Sequence, residues 1–120
     1  MEFRSGCPIA STLDLVGDKW TLVILRDLMN GKSKFAEFLD SPEHIASNIL
    51  AARLAQMEEN GLISAELYER RPKRYAYRLT KRGAAFAPVL QAICRFGCGE
   101  LPNRWTPPER FMKLKPHDLA

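Results

Sequence analysis

Few residue types in this chain can do chemistry, and they fall in two places. Cys7 stands directly before Pro8, a pairing that puts the thiol at the N-cap of a helix. There, orphan amides and the positive end of the helix dipole favour thiolate, and Arg4 is near in sequence. A thiol so placed is a candidate sensor of oxidants or electrophiles. Cys94 and Cys98 are one helical turn apart and read as small apolar side chains packed between helices. No second cysteine pair or nearby histidine completes a zinc set around them, so no metal is expected. The second place is a basic run. Arg70, Arg71, Lys73, Arg74, Arg78, Lys81 and Arg82 are seven of the 18 basic residues, and between Glu69 and Arg82 only Glu69 opposes them. Such an excess of one sign repels itself without a partner, which favours a polyanion.

This inventory gives no enzyme. His44 and His117 are the only histidines, and there is no Gly-rich phosphate loop, paired-carboxylate motif or nucleophile elbow. With 120 residues the chain is expected to be one domain with a real core, needing neither staple nor cofactor to fold. Its three cysteines are too few and too unevenly spaced for a secreted disulfide framework. No apolar run approaches the roughly 20 residues that cross a bilayer, and residues 1–6 lack the apolar heart of a signal peptide. A cytoplasmic location without membrane association is the expectation.

The basic run needs elements to present it. Ile45, Ile49, Leu50, Leu54 and Met57 recur at helical spacing and predict a buried stripe, leaving Ser47, Asn48, Ala51, Ala52 and Ala55 as a short, neutral, smooth outer face. Asn60-Gly61 suits a left-handed helix stop. Beyond it, two runs rich in strand formers, Leu62–Tyr68 and Tyr75–Leu79, flank the turn Arg70-Arg71-Pro72-Lys73-Arg74. Upstream, Pro8–Gly17 predicts a helix striped by Ile9, Thr12, Leu13 and Val16. Asp18 caps a second, nearly all-apolar helix over Lys19–Asn30, and Ser33 caps a short third over Lys34–Leu39. Thr80 opens a last helix with Phe86, Val89, Leu90, Ile93 and Gly97 on one face, kinked or delayed by Pro88. The fold class is therefore mainly α with a small β-hairpin wing, in helix-turn-helix-plus-wing order. Residues 1–100 form the domain, and residues 101–120, rich in proline, are expected as an extended tail laid on the surface.

These residues resemble the HxlR-type family of bacterial winged-helix regulators, a branch close to the MarR-like regulators. The resemblance is carried by Cys7-Pro8, Gly17–Leu25, Phe35–Phe38, Ile45–Leu50 with Arg53-Leu54, Glu59–Ile63 and Tyr77–Thr80. It implies a homodimer built from the first and last helices, binding near-palindromic double-stranded operator DNA and acting as a repressor. Some members sense oxidants or quinone-like electrophiles through a cysteine at the position of Cys7. Ala46 departs from the pattern, standing where many members carry a serine.

Each candidate site has a second reading. Ser47 and Asn48 at the start of the reading helix would reach base edges, with Ala51 and Ala52 able to touch a thymine methyl; the bland alternative is a solvated helix face. Arg70, Arg71, Lys73 and Arg74 would contact phosphate or enter the minor groove, and Lys32 and Lys34 would add backbone contacts. Arg53, at the edge of the buried stripe, fits an internal ion pair as well as a phosphate. At the level of the whole chain, one rival is a winged helix used as a protein interaction module. Another is a repressor that answers a small-molecule inducer held between the first, second and last helices rather than thiol chemistry.

Overall fold

The computed structural model describes residues 2–120. Helix α1 spans Pro8–Val16, α2 Thr21–Met29, α3 Phe35–Leu39 and α4 Ser47–Glu59; the hairpin β1 Ile63–Arg70 and β2 Lys73–Leu79 follows, then α5 Lys81–Ala84, α6 Ala87–Glu100, α7 Glu109–Lys113 and α8 Pro116–Leu119. Helix α2 is the buried centre. Its Ile24, Leu25, Leu28 and Met29 meet Phe38 of α3, Leu50, Leu54 and Met57 of α4, and Phe86, Ala87 and Leu90 around the start of α6. It begins two residues later than its apolar run suggests, because the Asp18 carboxylate accepts the Trp20 and Thr21 amides at 2.8 and 3.0 Å and holds that stretch as a turn.

The reading helix stops as Asn60-Gly61 predicts: Gly61 takes φ +74°, and the Gly61 and Leu62 amides donate to Glu58 and Met57 carbonyls at 3.0 and 2.9 Å. The strands pair antiparallel from Ile63–Leu79 to Arg70–Lys73, with a bulge at Tyr68. They run further than sequence alone suggests. Arg70, Lys73 and Arg74 stand on the strands, and only Arg71 and Pro72 make the turn. Pro88 delays the last helix rather than kinking it: Thr80 caps α5 by accepting the Gly83 amide at 3.1 Å, and α6 starts anew with Pro88 in its first turn. Gly83 is fixed by crowding, since a Cβ there would lie 2.0 Å from the Leu62 carbonyl oxygen.

Two expectations fail on burial, at Ile49 and at Cys98. Ile49 is exposed, and the stripe of α4 that enters the core is Leu50, Leu54 and Met57. On α1 and α6 the apolar faces are only partly covered: Val16, Phe86 and Leu90 are buried, whereas Ile9, Leu13, Val89, Ile93 and Phe96 are exposed. Cys94 is half-buried, but Cys98 is exposed rather than packed. The tail is a larger correction. Residues 101–108 stay irregular, but the rest does not: α7 and α8 form beyond them, and Phe111 is buried in the core. Gln91, itself buried on α6, donates its amide to the Phe111 and Leu114 carbonyls at 3.1 and 2.8 Å, so the turn of chain carrying Phe111 is bonded down. No helix among the described residues is long and apolar enough to cross a membrane.

Candidate nucleic-acid interface

The outer face of α4 has the expected character. Ser47, Asn48, Ala51, Ala52 and Ala55 are all exposed, and α4 carries no carboxylate before Glu58. Ala46 is the N-cap and supplies no side-chain bond, so Ser47 and Asn48 enter the first turn with their side chains uncommitted to the cap. Arg53 resolves to the internal alternative. Its guanidinium lies 3.5 Å from the Asp18 carboxylate and donates to Gln56 Oε1 at 2.6 Å, tying α4 to the start of α2. Burial raises the Asp18 carboxyl pKa, but hydrogen bonds from Thr21 and Trp20 and the charge of Arg53 more than reverse it, leaving the pKa below the ordinary value.

On the wing, the basic residues divide by partner. Arg74 lies 3.5 Å from Glu69 and Arg78 3.7 Å from Glu66, both as exposed pairs across the hairpin. Among the described residues Arg70, Arg71 and Lys73 have no carboxylate partner, and they cluster at the tip around Pro72. Exposed pairs are weak and exchange easily for a phosphate, but the three tip residues need no exchange at all. Lys34 lies at the start of α3, and its ammonium sits 4.9 Å from the centroid of the Tyr68 ring, over the wing. Its backbone bridges to Ala76, and the Tyr77 amide donates to the Ser33 carbonyl at 2.7 Å. Lys34 thus joins the start of α3 to the base of the wing. Ser33 does not cap α3; Glu37 reaches back to accept the Ser33 and Lys34 amides at 3.0 and 2.8 Å, and those bonds lower its pKa.

What aims α4 is a polar network that composition and periodicity did not disclose. Asp27, buried on the otherwise apolar α2, accepts the Ser41 hydroxyl and the Arg26 guanidinium, the latter at 2.9 Å. Arg26 also grips Glu43 with two bonds of 2.7 and 2.8 Å, and Lys32 donates to the Ser41 hydroxyl at 3.0 Å. Ser41 and Glu43 belong to the turn between α3 and α4, where His44 takes φ +57°. The turn is therefore bolted to α2, and through it the pitch of α4 is set. The Arg26 bonds lower the Glu43 pKa, and Glu43 in turn raises that of Arg26. The only hint in the sequence was Arg26-Asp27 interrupting Ile24-Leu25 and Leu28-Met29. Lys32 is committed to this network rather than displayed for a phosphate.

Cys7 is the N-cap of α1, exposed, with its amide donating to Ser5 Oγ at 3.2 Å. Arg4 does not serve it: the guanidinium pairs with Asp14 and reaches the Ala10 carbonyl at 3.3 Å. Of the two features expected around Cys7, the helix start is present and the neighbouring cation is committed elsewhere.

A smooth helix face, an adjoining basic hairpin and a braced turn make the reading head of a winged helix-turn-helix, and a family profile described as HxlR-like helix-turn-helix matches residues 15–104. The chain belongs to the HxlR-like family of transcriptional regulators. An uncharacterised HTH-type transcriptional regulator of Synechocystis sp. is 36% identical over 97 residues, covering 79% of this chain and 72% of that relative. Among solved structures, PA1607, assigned as a transcription factor, superposes with a TM-score of 0.76 at 38% identity, over 87% of this chain and 73% of its own. The redox regulator HypR in its reduced form gives 0.73 at 27% identity, over 80% of this chain and 95% of its own.

Proposed function

We propose that this HxlR-like chain is one protomer of a homodimeric cytoplasmic repressor that binds a near-palindromic double-stranded operator. The carrying observation is the exposed, carboxylate-free leading face of α4 beside a wing tip with three unpartnered cations. Ser47 and Asn48 read base edges in the major groove, Ala51 and Ala52 allow the close approach that meets a thymine methyl, and Arg70, Arg71, Lys73 and Arg74 hold phosphates or the minor groove. Lys34 supports this surface from the base of the wing. The two copies join through the exposed apolar stripes of α1 and α6, where Ile9 is 73% and Phe96 66% exposed. Exposed apolar stripes of this kind mark an association surface.

Cys7 is the proposed thiol switch. It caps a helix assigned to the dimer contact, so an adduct there, or a disulfide to Cys94 or Cys98 of the partner chain, changes the separation of the two reading helices. Half-sites lie about 34 Å apart, one turn of duplex, and helices held at another spacing cannot both enter the groove. The likeness to HypR, a redox regulator by name, supports this reading.

The test is selection of duplexes from a random library with the reduced protein, followed by the mass of the complex in solution. Enriched sequences should be inverted half-sites about one helical turn apart, bound by two chains. Equal affinity for all duplexes overturns sequence reading, and one chain per duplex overturns the dimer.

A further inference from the structure

Behind the braced turn, a cleft of about 430 Å³ opens between α2, the turn before α4, the C-terminal half of α6 and the segment that follows it. Cys94, Cys98, Trp105 and Pro107 line it together with the Arg26–Glu43 pair. Both thiols are free, and Cys98 makes only a weak contact, its Sγ donating to the Trp105 carbonyl at 3.6 Å. The Trp105 side chain is 80% exposed, a large aromatic surface with nothing over it. Of its polar lining, Arg26 and Glu43 hold each other with two bonds, while Asn103 and Arg104, whose Nε donates to the Pro102 carbonyl at 3.0 Å, sit at the same cleft. The two thiols are the nucleophiles among the lining residues.

Helical spacing decides what such a pair can hold. Residues i and i+4 on a helix put their Cβ atoms about 5–6 Å apart, whereas a disulfide needs Cβ atoms about 3.5–4.5 Å apart. Direct closure of Cys94 on Cys98 would strain α6, but one atom inserted between the sulfurs spans the gap. A four-coordinate metal is not served, because no group of three or more His, Cys, Asp or Glu able to hold an ion exists among the described residues. A centre that brings its own third substituent needs only the two thiols. Volume agrees: about 430 Å³ is within the range of small-molecule sites and leaves room for a ring beside the indole.

We propose that Cys94, Cys98 and this cleft form an effector site for an aryl-substituted trivalent arsenical, with arsenic bridging the two sulfurs and the aryl ring lying against Trp105. The reaction balances without an oxidant. An aryl arsenoxide and two thiols give the cyclic dithioarsenite and one water: two As–S bonds form, the As=O bond is lost, the two thiol protons leave in the water, and arsenic stays trivalent. The ring occupies the cleft beside Arg26 and Glu43, and Glu43 belongs to the turn that aims α4. Loading therefore strains the brace and weakens DNA binding. This last step rests on the operator-reading proposal above. Cys7 of the same chain does not line the cleft, and the arsenical needs no sulfur from it.

The experiment uses phenylarsine oxide with the full chain carrying Cys7→Ser, and then with Cys94→Ser or Cys98→Ser added. Native mass spectrometry in excess 2-mercaptoethanol should show one arsenical per chain in the Cys7→Ser protein. Either added substitution should weaken retention about 100-fold, as expected when one arm of a two-point attachment is lost. With Trp20→Phe leaving Trp105 as the sole tryptophan, loading should quench its fluorescence. Loaded protein should bind duplex DNA at least about tenfold more weakly than unloaded protein. Cys98 is exposed, so its serine variant folds even if that of Cys94 does not. Retention that survives loss of Cys98, capture that needs Cys7, or loading with unchanged DNA affinity overturns the proposal. Should the unloaded protein bind no duplex, the operator reading fails instead, and stoichiometry and quenching still judge the site.

Discussion

Replacing Arg70, Arg71 and Lys73 together by alanine should change how salt governs DNA binding more than it changes the fold. The three side chains are exposed at the wing tip and have no carboxylate partner among the described residues, so no ion pair is broken and no carboxylate is stranded. Each phosphate contact contributes about 0.9 to the slope of log affinity against log salt, so losing three lowers it by about 2.7. Between about 50 and 200 mM salt the wild type should then lose about 40-fold more affinity than the variant does. Fluorescence anisotropy of a labelled duplex at four or five salt concentrations measures this. Arg74→Ala is the internal comparison: it frees Glu69, 3.5 Å away in the native hairpin, so it adds a repulsive carboxylate while removing a cation. An unchanged slope in the triple variant removes the wing from the interface and refutes the division of its cations by partner.

Four further outcomes are expected. Asn48→Ala should cost roughly 1–3 kcal/mol on the selected operator and much less on random duplex; equal losses would make Asn48 a positioning contact. Gly83→Ala should destabilise by about 1–3 kcal/mol in urea denaturation, because the new Cβ would fall 2.0 Å from the Leu62 carbonyl oxygen and two backbone segments must part. Glu43, whose pKa is lowered by Arg26, contributes stability that is present above the ordinary carboxylate range and lost as pH falls through its folded value. Glu43→Gln should therefore show a shallower acid limb, by no more than about 1 kcal/mol for so exposed a pair, and identical limbs would refute the brace. Cys7, exposed at a helix start, should be alkylated faster than Cys94, whose half-burial and neighbouring Cys98 raise its pKa; equal rates by mass spectrometry, or oxidised protein binding the operator as tightly as reduced, would remove the Cys7 switch.

Local signals were legible wherever they rest on one segment. The stop at Asn60-Gly61, the break at Pro88 and the strand pair with its Arg-Pro turn each follow from a few adjacent residues and appear in the fold. So does the outer face of α4, because periodicity is a property of one helix. What could not be read were the long-range commitments. Asp27 with Ser41, Arg26 with Glu43, and Gln91 with Phe111 join residues 14, 17 and 20 positions apart. Nothing in the spacing of such residues singles out the partner. The tail escapes sequence reading for the same reason: its prolines forbid one long helix, but short ones form after Pro108 and from Pro116, and the burial of Phe111 depends on a groove that only the assembled fold provides.

The stripes on α1 and α6 show a different limit. Hydrophobic spacing reports which side chains must leave water, not what removes them from it. Ile9 and Leu13 on α1 repeat as regularly as Leu50 and Leu54 on α4, yet the second pair is buried by this chain and the first is not. At about 25 cal/mol per Å² of apolar surface, leaving Ile9, Leu13, Val89, Ile93 and Phe96 in water costs several kcal/mol that a second copy would recover. Cys7 caps α1, the helix proposed to join the two copies, and the Arg26–Glu43 brace opens on the cleft that Cys94 and Cys98 line. On the two proposals, a chemical event would reach the reading helix by different paths: through the spacing between copies for Cys7, and through the turn before α4 for the cleft. The two paths predict different signatures, since a change in copy spacing abolishes binding to paired half-sites while sparing a single half-site, and a loosened turn weakens both alike.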